Sequence, residues 1–418
     1  MKKTLLICSH YPLPEKVGGN IRSMNFVRFF NNLGAVDVAY SYVLPGAEVC
    51  KGAFTGEYPL KRKYVSRGLI ERAARWMEIR NRPFPIPQYD DASEKSLLRL
   101  IQSGNYDYIL IRYVVNTYTL LSLPLKYRAR VILDFDDVLS GALYGSDTAF
   151  SGLDFLRRIG FKINRRFLVN FERRCLGFGA SLFCSEKDKA EISGLNGNGR
   201  AFVVPNAYAD KSFSSFDFGD GFANSHDLLF VGGLMYKPNI EGIRWFIKSV
   251  FQGFRKKYPD ARLMVVGSSP SAEVCTMCES APGVELWKDV PDLKEYYKRC
   301  RAVVVPLLAG GGTRLKILEA ALAGRPVLST HMGAEGLSLR DSEEILLFRD
   351  GQEFTNQYDT LQLRGFYDVL VRKARLRVNS TYSFHNFSES MQRVLDSLDG
   401  AAKESLPELR RYHNAGLS

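Results

Sequence analysis

Long apolar runs are absent from this 418-residue sequence, and none approaches the roughly 20 residues that a membrane-spanning helix needs. The apolar segment at residues 4–8 is too short for a signal peptide, and His10 and Pro12 follow it directly. It predicts a first buried strand instead.

The cysteines of the sequence are seven, an odd number at scattered spacings, and they favour a reduced, cytoplasmic compartment over a disulfide framework. Cys275 and Cys278 form a lone C-x-x-C pair without further ligands nearby, so no metal site is predicted.

The sequence also lacks the motifs of nicotinamide-dependent dehydrogenases and of nucleic-acid-binding proteins. The segment after the first predicted strand lacks the Gly-x-Gly-x-x-Gly loop of nicotinamide-dependent dehydrogenases. The net charge of +12 indicates anionic partners, namely phosphate-bearing ligands, an anionic membrane surface or nucleic acid. No zinc finger, RNP-type aromatic motif or helix-turn-helix signature accompanies that charge, so nucleic acid is the least favoured of the three.

The sequence does contain short apolar strands that alternate with helical patterns, and this alternation occurs twice. Strands are predicted at residues 4–8, 36–43, 106–112, 130–135, 180–185, 201–204, 227–231, 261–266, 283–287, 302–307, 326–329 and 345–348. Helices are predicted at residues 25–33, 239–258, 293–299, 313–323, 352–377 and 388–398, and the polar stretch 400–418 is expected to fray. Strands that alternate with helices form parallel sheets covered on both faces, so the fold class is α/β.

The restart of the pattern after residue 210 divides the chain into two doubly wound Rossmann-like domains. We expect domains at residues 1–209 and 210–379, facing each other across a cleft, with the helix at 380–418 packing back on the first. Residues 210–227 lack periodicity, which is typical of a linker. Ligands of such sheets bind beyond the carboxyl ends of the strands, which is where residues 17–20 and 310–316 lie.

A glycine-rich segment in the second half joins a predicted strand to a predicted helix. Gly310, Gly311 and Gly312 follow the buried strand and allow the backbone to approach a ligand closely. The helix is predicted to begin near Thr313, which would cap it, and to end before Gly324.

Two cations, Arg314 and Lys316, lie in the first turn of this helix, where the helix dipole disfavours positive charge. A bound anion would account for them, because free N–H groups, glycines and basic side chains together form a phosphate site. Glu319 lies one turn further on, and sugar hydroxyls would serve as hydrogen-bond donors to its carboxylate. The alternatives are that both cations are solvated and that Glu319 pairs only with Lys316.

Several segments together resemble the GT-B glycosyltransferases, in particular the large family 4 of retaining enzymes. The matching segments are residues 11–19, 183–188, 203–206, 230–242, 263–267 and 306–330. The resemblance implies transfer of a sugar from a nucleotide diphosphate donor such as a UDP-sugar or GDP-sugar, with retention and without a metal or other cofactor. It also implies that the first domain binds a glycan or lipid-linked acceptor, that the second binds the donor, and that the pathway is polysaccharide biosynthesis.

The same resemblance assigns site residues. The implied donor-binding residues are Gly18, Gly19, Gly233, Lys237, Val290, Gly311, Gly312, Thr313, Arg314, Leu315, Lys316 and Glu319. Arg314, Lys316 and Lys237 would stabilise the departing diphosphate, and Glu319 would accept hydrogen bonds from the ribose. For Lys237 a solvated position is the open alternative.

Two positions depart from the family pattern. Gly311 occupies the place of the first glutamate in the Glu-x7-Glu motif, whose second glutamate is Glu319. Gly233 replaces an arginine that many members carry in the loop after a glycine. A catalytically weak or inactive GT-B scaffold that binds a nucleotide sugar or a partner therefore stays open as an alternative.

An Asp-x-Asp sequence at residues 134–136 is similar to the metal–diphosphate signature of the other glycosyltransferase fold, GT-A. Here it follows a strand of the first domain, where family 4 often has a His-Asp pair. Asp136 is therefore predicted to be a catalytic residue that contacts the transferred sugar or the acceptor. For Asp137 the alternative is a structural role, either as a helix cap or as a carboxylate that stabilises the loop.

Basic residues crowd two stretches of the first half, at residues 61–82 and 157–174. The first mixes arginines with Trp76, Met77 and Ile79, a pattern typical of helices that lie on anionic lipid. Peripheral attachment to the inner face of a membrane is one expectation, and a solvated basic helix is the other.

Overall fold

The computed structural model describes residues 1–15, 18–43, 49–50, 52–63, 89–136, 138–140, 155–193, 200–208, 215–223, 225–310 and 314–414, of which 155–164 and 401–414 are described by their backbone alone. The chain divides into two compact units. The first comprises Met1–Asn206 and Phe387–Ser418, and the second comprises Ala207–Asn386. The structure thus divides the chain at residue 206 rather than 209, and the chain returns to the first unit at residue 387.

The first unit is built on a seven-stranded parallel sheet with the order β3-β2-β1-β4-β5-β6-β7. Its strands are β1 Lys2–His10, β2 Gly34–Tyr42, β3 Gly56–Pro59, β4 Tyr108–Arg112, β5 Val131–Asp134, β6 Ala180–Phe183 and β7 Ala201–Val203. Strand β4 is buried along its whole length, as expected for a strand covered on both faces.

The second unit is built on a six-stranded parallel sheet with the order β10-β9-β8-β11-β12-β13. Its strands are β8 Leu228–Val231, β9 Leu263–Gly267, β10 Val284–Lys288, β11 Ala302–Val305, β12 Val327–Thr330 and β13 Leu346–Phe348. Together the two sheets confirm the predicted α/β class with two doubly wound halves.

Helices connect most of the strands. The α-helices of the described ranges are α1 Gly18–Asn31, α2 Asp91–Ser103, α3 Leu125–Arg128, α4 Phe155–Cys175, α5 Glu186–Ser193, α6 Lys237–Phe246, α7 Gln252–Lys257, α8 Ala272–Ser280, α9 Lys294–Arg299, α10 Leu315–Leu322, α11 Gly351–Thr360, α12 Arg364–Thr381 and α13 Phe384–Asn414. A π-helical turn, Ile247–Phe251, joins α6 to α7. None of these helices combines the length and apolarity that crossing a membrane requires.

The strand and helix that carry the glycine-rich segment show why this sequence folds as it does. All four residues of β11 are buried, and three of them are valines, which suit a strand covered on both faces. Helix α10 buries five of its eight residues, including Leu318 and Leu322. Gly324 follows this helix with a φ of +67°, a left-handed conformation that glycine adopts without strain.

Several boundaries differ from the prediction. Helix α1 begins at Gly18 rather than near residue 25, because its first turn buries the polar residues Asn20, Arg22 and Ser23. Residues 352–377 form two helices instead of one, and α13 continues to Asn414 where fraying was expected. Strand β3 and helices α2, α3, α4, α5 and α8 were not predicted. Helix α10 begins at Leu315 with Arg314 at the capping position, while Thr313 lies outside the described residues.

Candidate active site

The order of the strands locates a crevice in each sheet. In the second unit the chain runs from β8 through β9 to β10 on one side, and β11 then lies on the other side of β8. The loops that follow β8 and β11 therefore turn away from each other, and such a switch point is where open α/β sheets bind ligands. In the first unit the corresponding point lies between β1 and β4.

The loop after β8 lies against the beginning of α6. The Nδ2 atom of Asn239 donates a hydrogen bond to the carbonyl oxygen of Gly233 at 2.9 Å. A Cβ atom added at Gly232 would lie 2.7 Å from Asn239 Nδ2 and 2.9 Å from Lys316 Nζ, whereas one added at Gly233 meets no atom within 4 Å. A side chain at position 232 would therefore displace the ends of Asn239 and Lys316, whereas position 233 is open.

Lys316 reaches this loop from the first turn of α10. Its Nζ atom donates to Oδ1 of Asn239 at 3.2 Å and lies 4.3 Å from the centre of the Phe230 ring. Burial and the neighbouring Arg314 guanidinium lower the pKa of Lys316 to about 7, and Glu319 opposes this effect. No carboxylate of the described ranges lies within ion-pair distance of its ammonium group. Lys316 is thus a partly buried cation whose protein partners are an amide oxygen and an aromatic ring.

Arg314 stabilises the end of the glycine-rich loop. It is 7% exposed, and its Nη2 atom donates to the carbonyl oxygen of Gly310 at 2.7 Å. Gly310 has a φ of +110°, a conformation that a residue with a side chain would adopt only under strain. Arg314 and Lys316 therefore flank the N-terminus of α10, as the sequence indicated, and the positive end of the helix dipole adds to their charge.

Glu319 lies one turn beyond Lys316, where Tyr297 of α9 contacts it. The Tyr297 hydroxyl donates to Oε2 of Glu319 at 2.7 Å. Burial and the adjacent Glu319 carboxylate hold the pKa of Tyr297 well above its ordinary value, so the tyrosine stays protonated and keeps donating. This contact orients the carboxylate predicted to bind a ribose, and neither ion pairs nor hydrogen bonds of the described residues join Glu319 to Lys316.

The other predicted donor residues are distributed unevenly. Lys237 has an 84% exposed side chain that pairs with Glu241 at 3.5 Å, and the structure does not bring it into contact with Lys316 or Asn239. Val290 and Leu315 are partly buried and pack against the core of the second unit. Gly311, Gly312 and Thr313 lie outside the described residues.

In the first unit, Gly18 and Gly19 begin α1 directly after the loop that follows β1. A Cβ atom at Gly19 would lie 2.3 Å from the hydroxyl oxygen of Tyr113, the residue that follows β4. Gly19 is therefore required by the close approach of the two loops at the switch point.

Asp136, two residues after β5, lies near the same two loops. Its Oδ2 atom accepts a hydrogen bond from Nη2 of Arg112 at 3.0 Å, and its Oδ1 atom lies 3.4 Å from the thiol of Cys184 and 3.8 Å from Nε of Arg22. Burial alone would raise the pKa of Asp136, but the guanidinium groups of Arg112 and Arg22 hold that pKa below its ordinary value. Its side chain is 15% exposed. Asp137 lies outside the described residues.

Four residues near the switch points of the two sheets were not predicted to belong to a site: Arg22, Arg112, Tyr113 and Asn239. Asn239 lies within a segment that resembles the family, but its type alone does not distinguish a helix-start amide from a site residue. Arg22 and Arg112 could not be distinguished from surface arginines, because only the order of the strands shows that they are buried at the sheet edge. Among the described residues, no group of three or more His, Cys, Asp or Glu side chains is arranged to hold a metal ion.

Residues 225–362 match the family model for glycosyl transferases group 1. The second unit therefore contains a glycosyltransferase group 1 domain. The matched range contains β8, β11 and α10, and therefore Gly232, Asn239, Lys316 and Glu319. An uncharacterised 44.6 kDa protein in the cps region of Klebsiella pneumoniae is 24% identical over 365 residues, which cover 84% of this chain and 88% of that protein.

Solved structures show the same fold. Sucrose-phosphate synthase from Thermosynechococcus elongatus is similar with a TM-score of 0.68 and 15% identity, covering 96% of this chain and 100% of that chain. WaaG, a glycosyltransferase involved in lipopolysaccharide biosynthesis, has a TM-score of 0.62 and 14% identity, covering 93% of this chain and 99% of WaaG. HepE from Anabaena, solved in complex with UDP and glucose, has a TM-score of 0.61 and 14% identity, covering 94% of this chain and 99% of HepE.

The two adjacent glycines after β8 supply a matched pair of substitutions. We predict that Gly232→Ala weakens binding of inorganic pyrophosphate by about tenfold or more, because the added methyl displaces Lys316 and Asn239. Gly233→Ala adds the same methyl in open space and should bind pyrophosphate as the unaltered protein does. Isothermal titration calorimetry on both variants measures the difference. Equal affinities for the two variants would contradict the placement of Lys316 and Asn239 in an anion site.

Proposed function

We propose that this glycosyltransferase transfers a sugar from a nucleotide diphosphate sugar, UDP- or GDP-linked, to a glycan or lipid-linked acceptor. The observation that carries the proposal is Lys316, a partly buried cation at a helix N-terminus that has no ion-pair partner among the described carboxylates. A charge in that position is costly unless an anion neutralises it, and a diphosphate is an anion that a helix N-terminus also binds.

The proposed donor site is in the second unit, at the switch point between β8 and β11. Lys316, Arg314 and the N–H groups at the start of α10 neutralise the charge that develops as the nucleoside diphosphate departs. Glu319, oriented by Tyr297, accepts hydrogen bonds from the ribose hydroxyls. HepE, which has the same fold, was solved with UDP, and this supports a uridine nucleotide as the first donor to test.

The proposed reaction retains the configuration of the transferred sugar and needs no metal. The bond from the anomeric carbon to the diphosphate oxygen breaks through an oxocarbenium-like transition state, and the acceptor oxygen bonds to the same face. The departing phosphate takes the proton of the acceptor hydroxyl. The cations at α10 take the electrostatic role that a metal ion has in other transferases, while Asp136 contacts the transferred sugar or the acceptor.

The location of the relative's gene supports a role in surface polysaccharide synthesis. The Klebsiella protein lies in a cps region, and WaaG is involved in lipopolysaccharide biosynthesis. Both descriptions fit an acceptor that is itself a growing glycan or its lipid-linked precursor.

A thermal-shift screen tests the donor. We predict that UDP, GDP or one of their sugar derivatives raises the melting temperature, since a ligand at 100 times its Kd stabilises a protein by about 2.7 kcal/mol. The same screen on Lys316→Ala should show a smaller shift for the selected nucleotide, with Lys248→Ala as a matched control that removes an exposed lysine of the same unit. If no nucleotide or nucleotide sugar shifted the melting temperature, the proposed function would be wrong.

The lowered pKa of Lys316 predicts how nucleotide binding depends on pH. Because the ammonium form binds the diphosphate and this form is lost as pH rises through about 7, the affinity for UDP should fall as pH rises. The fall should approach tenfold per pH unit between about pH 7.5 and 9, where the terminal phosphate of UDP, with a pKa of about 6, is already ionised. Calorimetric titration at several pH values measures it.

Lys316→Arg is the control for this pH dependence, because a guanidinium keeps its charge over the whole range. This variant should bind UDP with an affinity that hardly changes with pH. An equal pH dependence in the arginine variant and the unaltered protein would show that another group titrates.

We also propose that the first unit attaches to an anionic membrane surface. Most of the basic stretch at residues 61–82 lies outside the described residues, but α4 presents exposed Arg165 and Arg166. Vesicles containing phosphatidylserine should sediment the protein at low salt, and the double variant Arg165→Gln and Arg166→Gln should bind less, since each basic residue near such a surface contributes about 1 kcal/mol. Equal recovery with neutral and anionic vesicles would remove the membrane from the proposal.

A further inference from the structure

Four charged side chains meet within the first unit, and two of them are arginines buried from solvent. Arg22 lies on α1, Arg112 ends β4, Asp134 ends β5, and Asp136 follows two residues later. Arg22 donates to Asp134 through Nε at 3.0 Å and through Nη2 at 2.6 Å, and Arg112 donates to it through Nη1 at 2.6 Å. Asp134 therefore has both oxygens occupied, so Asp136 is the carboxylate of this group that reaches solvent.

The second terminal nitrogen of Arg112 connects three loops. Its Nη2 atom donates to the Tyr113 hydroxyl at 2.9 Å, to Oδ2 of Asp136 at 3.0 Å and to the carbonyl oxygen of Gly19 at 3.2 Å. Because the Tyr113 oxygen accepts this hydrogen bond, its own hydrogen remains to be donated. No acceptor for that hydrogen lies within hydrogen-bond distance in the part of the chain that the structure describes.

The backbone is strained at both residues whose side chains accept a hydrogen bond from Nη2 of Arg112. Tyr113 has a φ of +68° and Asp136 has a φ of +60°, and they follow the neighbouring strands β4 and β5. Strain of this kind persists where the surrounding contacts enforce it, typically at functional sites. Here the strained conformations bring a hydroxyl donor and a carboxylate acceptor to one guanidinium.

We propose that Arg112 is a positioning residue for sugar transfer: it holds the Asp136 carboxylate and the Tyr113 hydroxyl side by side as an acceptor and a donor for hydroxyl groups of a sugar. This inference rests on the proposed function, because it takes glycosyl transfer as the reaction. It adds Tyr113 as a ligand-contacting residue at the switch point between β1 and β4. Gly19 leaves the space that the Tyr113 hydroxyl occupies, and any side chain there would displace it.

The charges that face Asp136 decide its protonation. Burial opposes ionisation of Asp136, whereas Arg112 and Arg22 favour the carboxylate and the Cys184 thiol hydrogen-bonds to it; Asp134 and Tyr113 are the other titratable groups bound to Arg112 beside it. Removing the Arg112 charge should therefore raise the pKa of Asp136 above its ordinary value, because burial then dominates.

A carboxyl titration tests the positioning role without any substrate. The full-length protein is labelled with aspartate enriched in carbon-13 at the side-chain carboxyl, and the Asp136 signal is assigned by its loss in Asp136→Asn. We expect the titration midpoint of Asp136 to rise by about 1–3 pH units in Arg112→Gln. Arg112→Lys keeps a charge but loses the three-way contact, and should give an intermediate midpoint. The same midpoint in Arg112→Gln and the unaltered protein would overturn the proposal.

Tyr113→Phe tests the ligand contact in a variant that keeps the arginine network. With the donor selected by thermal shift, kcat/KM for transfer or donor hydrolysis should fall about tenfold, and the affinity for UDP, which binds in the second unit, should stay unchanged. The matched control is Tyr106→Phe, which removes a buried hydroxyl that donates to Asp37 at 2.6 Å near the other end of β4. Its kcat/KM should not change.

The outcomes separate the two proposals. An unchanged kcat/KM in Tyr113→Phe would overturn the ligand contact while leaving donor binding intact. If the unaltered protein binds no nucleotide sugar, the proposed function fails, and the Asp136 titration still decides whether Arg112 holds that carboxylate ionised. If Arg112→Gln does not fold, Arg112→Lys and Tyr113→Phe supply the two deciding measurements.

Discussion

Burying positive charge beside the carboxyl ends of parallel strands is the constraint on which both units depend. In the first unit two arginines with fully buried side chains are neutralised by Asp134 and Asp136, and the group has no net charge. In the second unit Lys316 has an amide oxygen and an aromatic ring as protein partners, and no described carboxylate pairs with it. Burying a cation without a counter-charge costs free energy. The strand ends of the second unit are therefore suited to an anion, and those of the first unit to neutral, hydroxyl-rich groups.

The parallel topology brings these groups together from distant parts of the sequence. Arg112 and Asp134 are register partners in the pairing of β4 with β5, which places a guanidinium beside a carboxylate at the same edge. In the second sheet, β8 and β11 are neighbours, so the loop containing Gly232 meets the helix that begins after residue 314. A change of strand order at one point thus creates both the crevice and its chemistry.

This origin explains how much the sequence could predict. The buried strands and the proposed phosphate site at α10 rest on local properties, namely runs of valine, glycines and cations in a first turn. Arg22, Arg112 and Tyr113 depend on sheet order and on positive φ angles, neither of which a single sequence reveals. Lys237, predicted to be a site cation, has an exposed side chain that pairs with Glu241, and its role in the site stays a prediction.

A lysine at the anion site has a consequence that an arginine would not have. With its pKa lowered to about 7, Lys316 can shed its proton when the site is empty, which reduces the cost of burying it without a counter-ion. A diphosphate bound at the proposed donor site would favour the charged form, which would link nucleotide binding to proton uptake. Departure of the nucleotide would then release the proton, and the empty site would regain its less costly neutral state. Arg314 keeps its charge over the whole pH range, and its hydrogen bond to the Gly310 carbonyl also holds the end of the glycine-rich loop.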